Sequence, residues 1–249
     1  MNKIVIASLV AVAAAACGED EPDKGTVNTA SAKTSVENIG KVNAAMASSN
    51  GANAAAAVQA MTAAGQSIVT PATGGAGRVG ILPESFPRPD IARAVSGTAE
   101  CTPTGCTFTN YGDDASSTSW KINGSISKSG DTTKFNIDYD VTSGGTSLKW
   151  HIDGDVTITA TSIDGEVNSH GVTNVMTGGT GGAPGSVNVT WDTAVDYQSI
   201  VLDAQGCATG GSVHAVVSYD IDAGGQGGGA FNVQGTATFG PACGQVTAK

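Results

Sequence analysis

The chain has 249 residues, 40% of them hydrophobic, with 22 acidic against 12 basic side chains and a formal charge of −10. A balance this acidic repels phosphate, which argues against nucleic acid as a partner and against docking on anionic headgroups through a basic patch. The three arginines, Arg78, Arg88 and Arg93, share one short stretch that reads as a solvated linker with a local capacity for an anion.

The N-terminus opens on Met1-Asn2-Lys3 and a 13-residue apolar run from Ile4 to Ala16, ending at Ala14-Ala15-Ala16-Cys17. This arrangement resembles a bacterial lipoprotein signal peptide, in which the cysteine after a small-residue box is diacylated on sulfur and becomes the new N-terminus. That family usually carries Leu or another large aliphatic where Ala14 stands. The same Ala-x-Ala also fits ordinary secretory cleavage, and both readings export the chain and remove residues 1–16 from the folded product. The resemblance implies lipidation of Cys17. It also implies sorting to the outer membrane, because Gly18 follows the cysteine where the best-known inner-membrane retention pattern has Asp. Removal of Lys3 with the leader leaves 11 basic against 22 acidic residues. No later run is long and apolar enough to span a bilayer as a helix, so membrane attachment is expected through the lipid alone.

Cysteine counting agrees with lipidation. Five cysteines are odd in an exported chain, and assigning Cys17 to lipid leaves four for two disulfides in an oxidising compartment. Cys101 and Cys106 flank Thr-Pro-Thr-Gly, a turn-forming segment that brings the sulfurs together, and Cys207 and Cys243 are left to close the C-terminal hairpins. Four cysteines allow three connectivities, and this pairing is the expected one. The absence of Cys-x-x-Cys disfavours zinc on these thiols.

Residues 17–32 are polar and turn-rich and read as a flexible tether. Residues 33–69 read as a helical hairpin. Thr34-x-x-Glu37 fits a capping box, Val36, Ile39, Val42 and Met46 recur at helical spacing, and Ser49-Asn50-Gly51 stops the first helix. The second carries Ala54 to Ala57, Val58, Met61 and Ile68. Its stripe of small residues buries little area, so the hairpin needs a surface to dock on; a floppy Ala/Ser/Gly stalk is the alternative. Residues 70–92, with Gly74-Gly75, Gly80, Pro83, Pro87 and Pro89, form an extended connection.

Residues 93–249 alternate with period two. Trp120, Ile122, Gly124 and Ile126 share one face, as do Phe135 to Val141, Trp150 to Ile158, Val187 to Trp191, Val213 to Ile221 and Phe231 to Phe239, each interleaved with Ser, Thr, Asn and Asp. One apolar face and one wet face describe an antiparallel sheet. Trp120-x-Ile-x-Gly124 and Trp150-x-Ile-x-Gly154 repeat one motif, and shorter echoes follow at Gly165 and Gly235. Glycine on the apolar side of a strand predicts a sharp bend or close approach by another element. The expected fold is therefore mainly β: a curved antiparallel meander of about ten strands, half-barrel or barrel, with an N-terminal α-helical hairpin. A β-sandwich is the alternative.

Candidate chemistry is sparse. His151, His170 and His214 are read as solvated surface residues, since a metal site shared by all three needs a convergence that period alone does not show. Asp138/Asp140, Asp153/Asp155 and Asp220/Asp222 suit calcium or glycan acid/base work, but such pairs more often keep a β surface soluble and discourage edge pairing. The glycine-rich stretches 178–182 and 224–229 do not lead from a strand into a helix, which disfavours phosphate binding. No Gly-x-Ser-x-Gly, His-Glu-x-x-His or Ser-x-x-Lys is present, and neither an enzyme nor a cofactor or metal is expected. The overall plan resembles the half-barrel periplasmic lipoproteins and carriers that hold acyl chains. That resemblance implies an envelope protein with a hydrophobic ligand as partner, and Trp120, Phe135, Tyr139, Trp150, Trp191 and Phe231 as cavity or core. The alternative is a structural or surface lipoprotein contacting protein or glycan through its polar β face.

Overall fold

The computed structural model describes residues 23–70, 96–114, 118–177, 185–222 and 228–249. The leader, Cys17, the three arginines and most of the Pro/Gly connection and the glycine-rich stretches lie outside the described residues.

Short strands β1 (Asp23–Lys24) and β2 (Thr26–Val27) precede helices α1 (Thr29–Ala47) and α2 (Gly51–Gln66), and β3 (Val69–Thr70) pairs with β2. Then come β4 (Ser96–Thr102), β5 (Gly105–Asp113), β6 (Thr118–Ser129), β7 (Thr132–Ser143), β8 (Thr146–Ile158), β9 (Ser162–Thr177), β10 (Gly185–Leu202), β11 (Ala208–Asp222), β12 (Gly228–Phe239) and β13 (Val246–Ala248). Strands β4 to β12 pair antiparallel in chain order, while β1 adds parallel to β12 and β13 also pairs with β12. This is one open, curved meander, neither closed into a barrel nor split into a sandwich.

The stretch 23–32, expected as part of a flexible tether, is ordered instead. Asp23 and Lys24 extend the sheet at β12, and α1 begins five residues before the Thr34 capping box. Asn28 caps it, its side chain accepting from the backbone N–H groups of Ala30 and Ser31. A local cap needs only one well-placed acceptor, so the helix starts there although its first two turns carry no large apolar residue. Asn50 caps α2 in the same way through Asn53 N–H.

The expected apolar stripes face inward. Val36, Ile39, Val42 and Met46 on α1, and Ala54, Ala55, Val58 and Met61 on α2, are buried. Helix α2 touches β4 and β5 on one side and β10 and β11 on the other, while α1 touches β4, β11 and β13. The hairpin therefore lies across the hollow of the sheet and supplies the second layer of a single core.

Curvature comes from the inward glycines. Gly124 and Gly154, the matching positions of the sequence repeat, have φ of +111° and +142°, and a Cβ there would lie 2.1 Å from Asn136 O and 2.3 Å from Glu166 O respectively. Only glycine lets the neighbouring strand's carbonyl approach so closely, and the strand coils at that point. Gly235 illustrates the other expected reason, because its missing Cβ makes room for Val27 and Val69.

Disulfides join Cys101 to Cys106 across the β4–β5 turn and Cys207 to Cys243 near the C-terminus. Both are the expected pairs.

Candidate functional site

Five of the six aromatic residues expected to line a cavity or core are buried: Trp120, Phe135, Tyr139, Trp150 and Trp191. Phe231 is half-buried against Tyr219, with ring centroids 4.8 Å apart. Tyr139 and Trp150 face one another on adjacent strands, with centroids 5.7 Å apart.

The middle of this wall is unusual. Gly171 on β9 pairs with Trp150 on β8 and with Trp191 on β10. The Trp191 ring fills the space that a side chain at 171 would take, its Cζ2 lying 2.0 Å from the Cβ position. The next inward residue of β9, Ser169, pairs with Ile152 and Thr193. Above it Gln66, in the last turn of α2, donates from Nε2 to Ser169 Oγ at 3.3 Å. Four buried polar side-chain atoms among the described residues have no hydrogen-bond partner: Gln66 Oε1, Thr193 Oγ1, Trp150 Nε1 and Trp191 Nε1. Each such group left dry costs about 1–3 kcal/mol. Two donors, one acceptor and one hydroxyl are thus left unpaired on α2, β8 and β10, the elements that form or flank the seam where Gln66 meets Ser169.

The seam is uncharged. Among the described residues no Lys, Arg or His is buried, and Asp113 is the one buried carboxylate. Burial pushes the Tyr139 and Tyr197 hydroxyls far above their ordinary range, with the Ser35 contact partly offsetting the effect at Tyr197, so both stay neutral. They also fasten the hairpin. Tyr139 donates to Ala55 O at 2.8 Å, and Tyr197 hydrogen-bonds Ser35, whose hydroxyl also lies 3.3 Å from Met61 O.

Sequence reasoning placed the tryptophans on the inner face but not Gln66, Ser169 or Thr193 among them. The available signal was the parity of β9, where Ser169, Gly171 and Thr173 place three small or polar residues in succession on the inward face.

The histidines do not all converge. His214 pairs through Nδ1 with Thr236 Oγ1 at 3.0 Å, whereas His151 and His170 stand directly opposite one another on β8 and β9. Of the acidic pairs, Asp138 contacts His151 and Asp140 stands opposite Lys149. Among the described residues one trio of ligand-type side chains, Asp203, Cys207 and Cys243, draws within 4.8 Å, but both sulfurs are consumed in their disulfide. No described helix is long and apolar enough to cross a membrane. No family model, curated protein or solved structure matches the chain.

Proposed function

We propose that this protein is an exported envelope lipoprotein, anchored through Cys17 to the outer membrane, that holds an uncharged amphipathic ligand between its helical hairpin and the hollow of the sheet. The observation that carries the reading is the set of four unpartnered polar atoms in the seam. A ligand hydroxyl or N–H amide accepts from the indole N–H groups and donates to Gln66 Oε1 or Thr193 Oγ1, an ester only accepts, and the hydrocarbon packs on Tyr139, Trp150 and the Ala-rich face of α2. A free fatty acid suits the seam poorly, because among the described residues no buried cation meets its carboxylate. The reading assigns the protein no catalysis.

The anchor fits the fold's orientation. Cys17 precedes Asp23 by six residues, so a lipid on Cys17 keeps the β1–β12 edge within about 20 Å of the bilayer surface. A carrier of membrane-derived molecules works at that distance. The disulfides are consistent with an oxidising compartment.

A second reading, an interaction lipoprotein using its polar β face, is favoured by the tyrosine hydrogen bonds that tie the hairpin down. The two are separated by solvent extraction of the purified protein followed by lipid mass spectrometry. Stoichiometric neutral lipid that disappears in a Gln66→Leu variant supports the carrier, and a lipid-free wild type supports the module. Incorporation of labelled palmitate that is abolished by Cys17→Ser tests the anchor separately.

A further inference from the structure

We propose that the α1–α2 hairpin is a hinged strap across the hollow of the sheet, opening as a unit at its β4 end while its β12 end stays seated. The strap runs from one edge of the open sheet to the other. At the first end Asn28 N–H donates to Ile68 O at 2.7 Å, β2 pairs with β3, and Gly25 N–H donates to Gln234 O on β12 at 2.9 Å. Val27 and Val69 occupy the space left by Gly235 there. At the second end the first residue of α2 rests on β4, where a Cβ on Gly51 would lie 2.9 Å from Ala99 Cβ and 3.0 Å from Cys101 Sγ.

The two ends are held by different kinds of contact. Backbone hydrogen bonds and the buried side chains of Ile68 and Val69 secure the β12 end, together with the bonds of Ser35 to Tyr197 and of Gln66 to Ser169. Among the described residues the β4 half has its side-chain bonds to one strand, β7: Tyr139 donates to Ala55 O at 2.8 Å, and Thr133 donates to Asn43 Oδ1 at 3.0 Å. Along α2 the buried residues of that half are Gly51, Ala54, Ala55 and Ala57, followed toward the β12 end by Val58 and Met61. A methyl group buries far less apolar area than a valine or methionine side chain, so the seat of α2 weakens toward β4.

The helices also cohere better with each other than with the sheet. They pack along one another more extensively than either packs on any strand, and Ser35 Oγ of α1 donates to Met61 O of α2 at 3.3 Å. Their boundary with the sheet carries buried polar groups instead, Thr133, Ser169 and Thr193 on the strands and Ser35 and Gln66 on the helices. An element with its own internal hydrogen bonds and few apolar contacts across its boundary opens ahead of the whole fold. Raising the β4 end breaks the bonds to β7 and opens a path beneath α2 to Gln66 and Ser169. Ligand enters by that path, a use of the motion that rests on the carrier reading.

The test is hydrogen exchange, followed by mass spectrometry of peptides, on the delipidated full-length protein in stepped urea. Amides of α1 and α2 are expected to exchange together, through an opening with less protection and a shallower urea dependence than that of β6 to β9. Tyr139→Phe, which keeps the ring on Trp150, should raise hairpin exchange by roughly 2–10-fold. Gly154→Ala strains β8 at a positive φ whether the strap is open or closed, so it should raise exchange in the sheet and leave that of the hairpin unchanged. Equal protection and equal urea slopes for hairpin and sheet in the wild type, or a rise in hairpin exchange that matches the sheet in Gly154→Ala, overturns the proposal. Uptake of monoacylglycerol, timed by native mass spectrometry, reads the use of the motion separately. Faster loading of Tyr139→Phe supports entry beneath the strap, and loading at the wild-type rate overturns it. A strap that opens in a protein taking up no lipid keeps the hinge and refutes the carrier reading.

Discussion

Replacing Thr193 by valine removes one hydroxyl from the seam while keeping the shape of the side chain. Thr193 is buried and its Oγ1 has no partner, so in the ligand-free protein this oxygen contributes desolvation cost without a compensating bond. Removing it should stabilise the fold by about 1–2 kcal/mol, toward the lower part of the range for an unsatisfied buried group. For a domain of this size that corresponds to a rise in Tm of about 2–8 °C. Ligand-loaded protein behaves oppositely, because the valine form has lost a contact worth about 0.5–1.5 kcal/mol, and up to about tenfold in affinity goes with it. The assay is calorimetric unfolding of delipidated and loaded samples of both forms. A lower Tm for delipidated Thr193→Val would mean that the hydroxyl is satisfied in the empty protein, which refutes the reasoning about the seam.

Other outcomes follow from the same structure. Gly154→Val forces a side chain onto Glu166 O at a positive φ and should cost at least about 2–3 kcal/mol, whereas Gly40→Ala, in an open stretch of α1, should gain about 0.5–1 kcal/mol; urea midpoints check both. Loss of the Cys207–Cys243 bridge should cost about 4 kcal/mol and loss of Cys101–Cys106 about 2, since the longer loop constrains the unfolded chain more. Burial raises the hydroxyl pKa of Tyr139, Tyr197 and Tyr219 above the ordinary value of 10.0. With the folded values raised, their contribution is intact below pH 10 and is lost as pH climbs above it toward the folded values. Tyrosinate absorbance from these residues should therefore appear only together with the loss of near-UV circular dichroism. Titration of all four tyrosines near pH 10 with that signal intact would contradict their burial.

Much of this architecture was legible because each strand keeps one face for water. The alternation from Trp120 to Phe239 marks which residues point inward whatever the register, and the repeated inward glycines at 124 and 154 signal curvature. What period two does not carry is closure, since whether a curved sheet meets itself depends on what fills its hollow. Here Ala-rich helices fill it. The start of α1 was hidden because its cap, Asn28, precedes residues with no apolar period, and β1 and β2 are too short to leave a pattern.

The site was legible only in its aromatic part. Trp150 and Trp191 announce themselves as inward residues, but Gln66 belongs to a helix whose rotation over the sheet is set by tertiary contacts. Thr193 resembles any other threonine of a strand until its neighbours are known. The histidine pair lay closer to the surface of the sequence. Counting back from the Gly144-Gly145 turn aligns His151 with Asp138, and counting from Thr159–Ser162 aligns it with His170, pairings that the structure realises.

The central claim is that the seam holds an uncharged amphipathic ligand, and native mass spectrometry of the purified protein tests it most directly. The expected result is a mass excess over the disulfide-bonded chain in the native spectrum, absent after denaturation and recovered as neutral lipid in organic solvent. A native mass equal to that of the chain itself, unchanged after incubation with monoacylglycerol or fatty alcohol, would contradict the account.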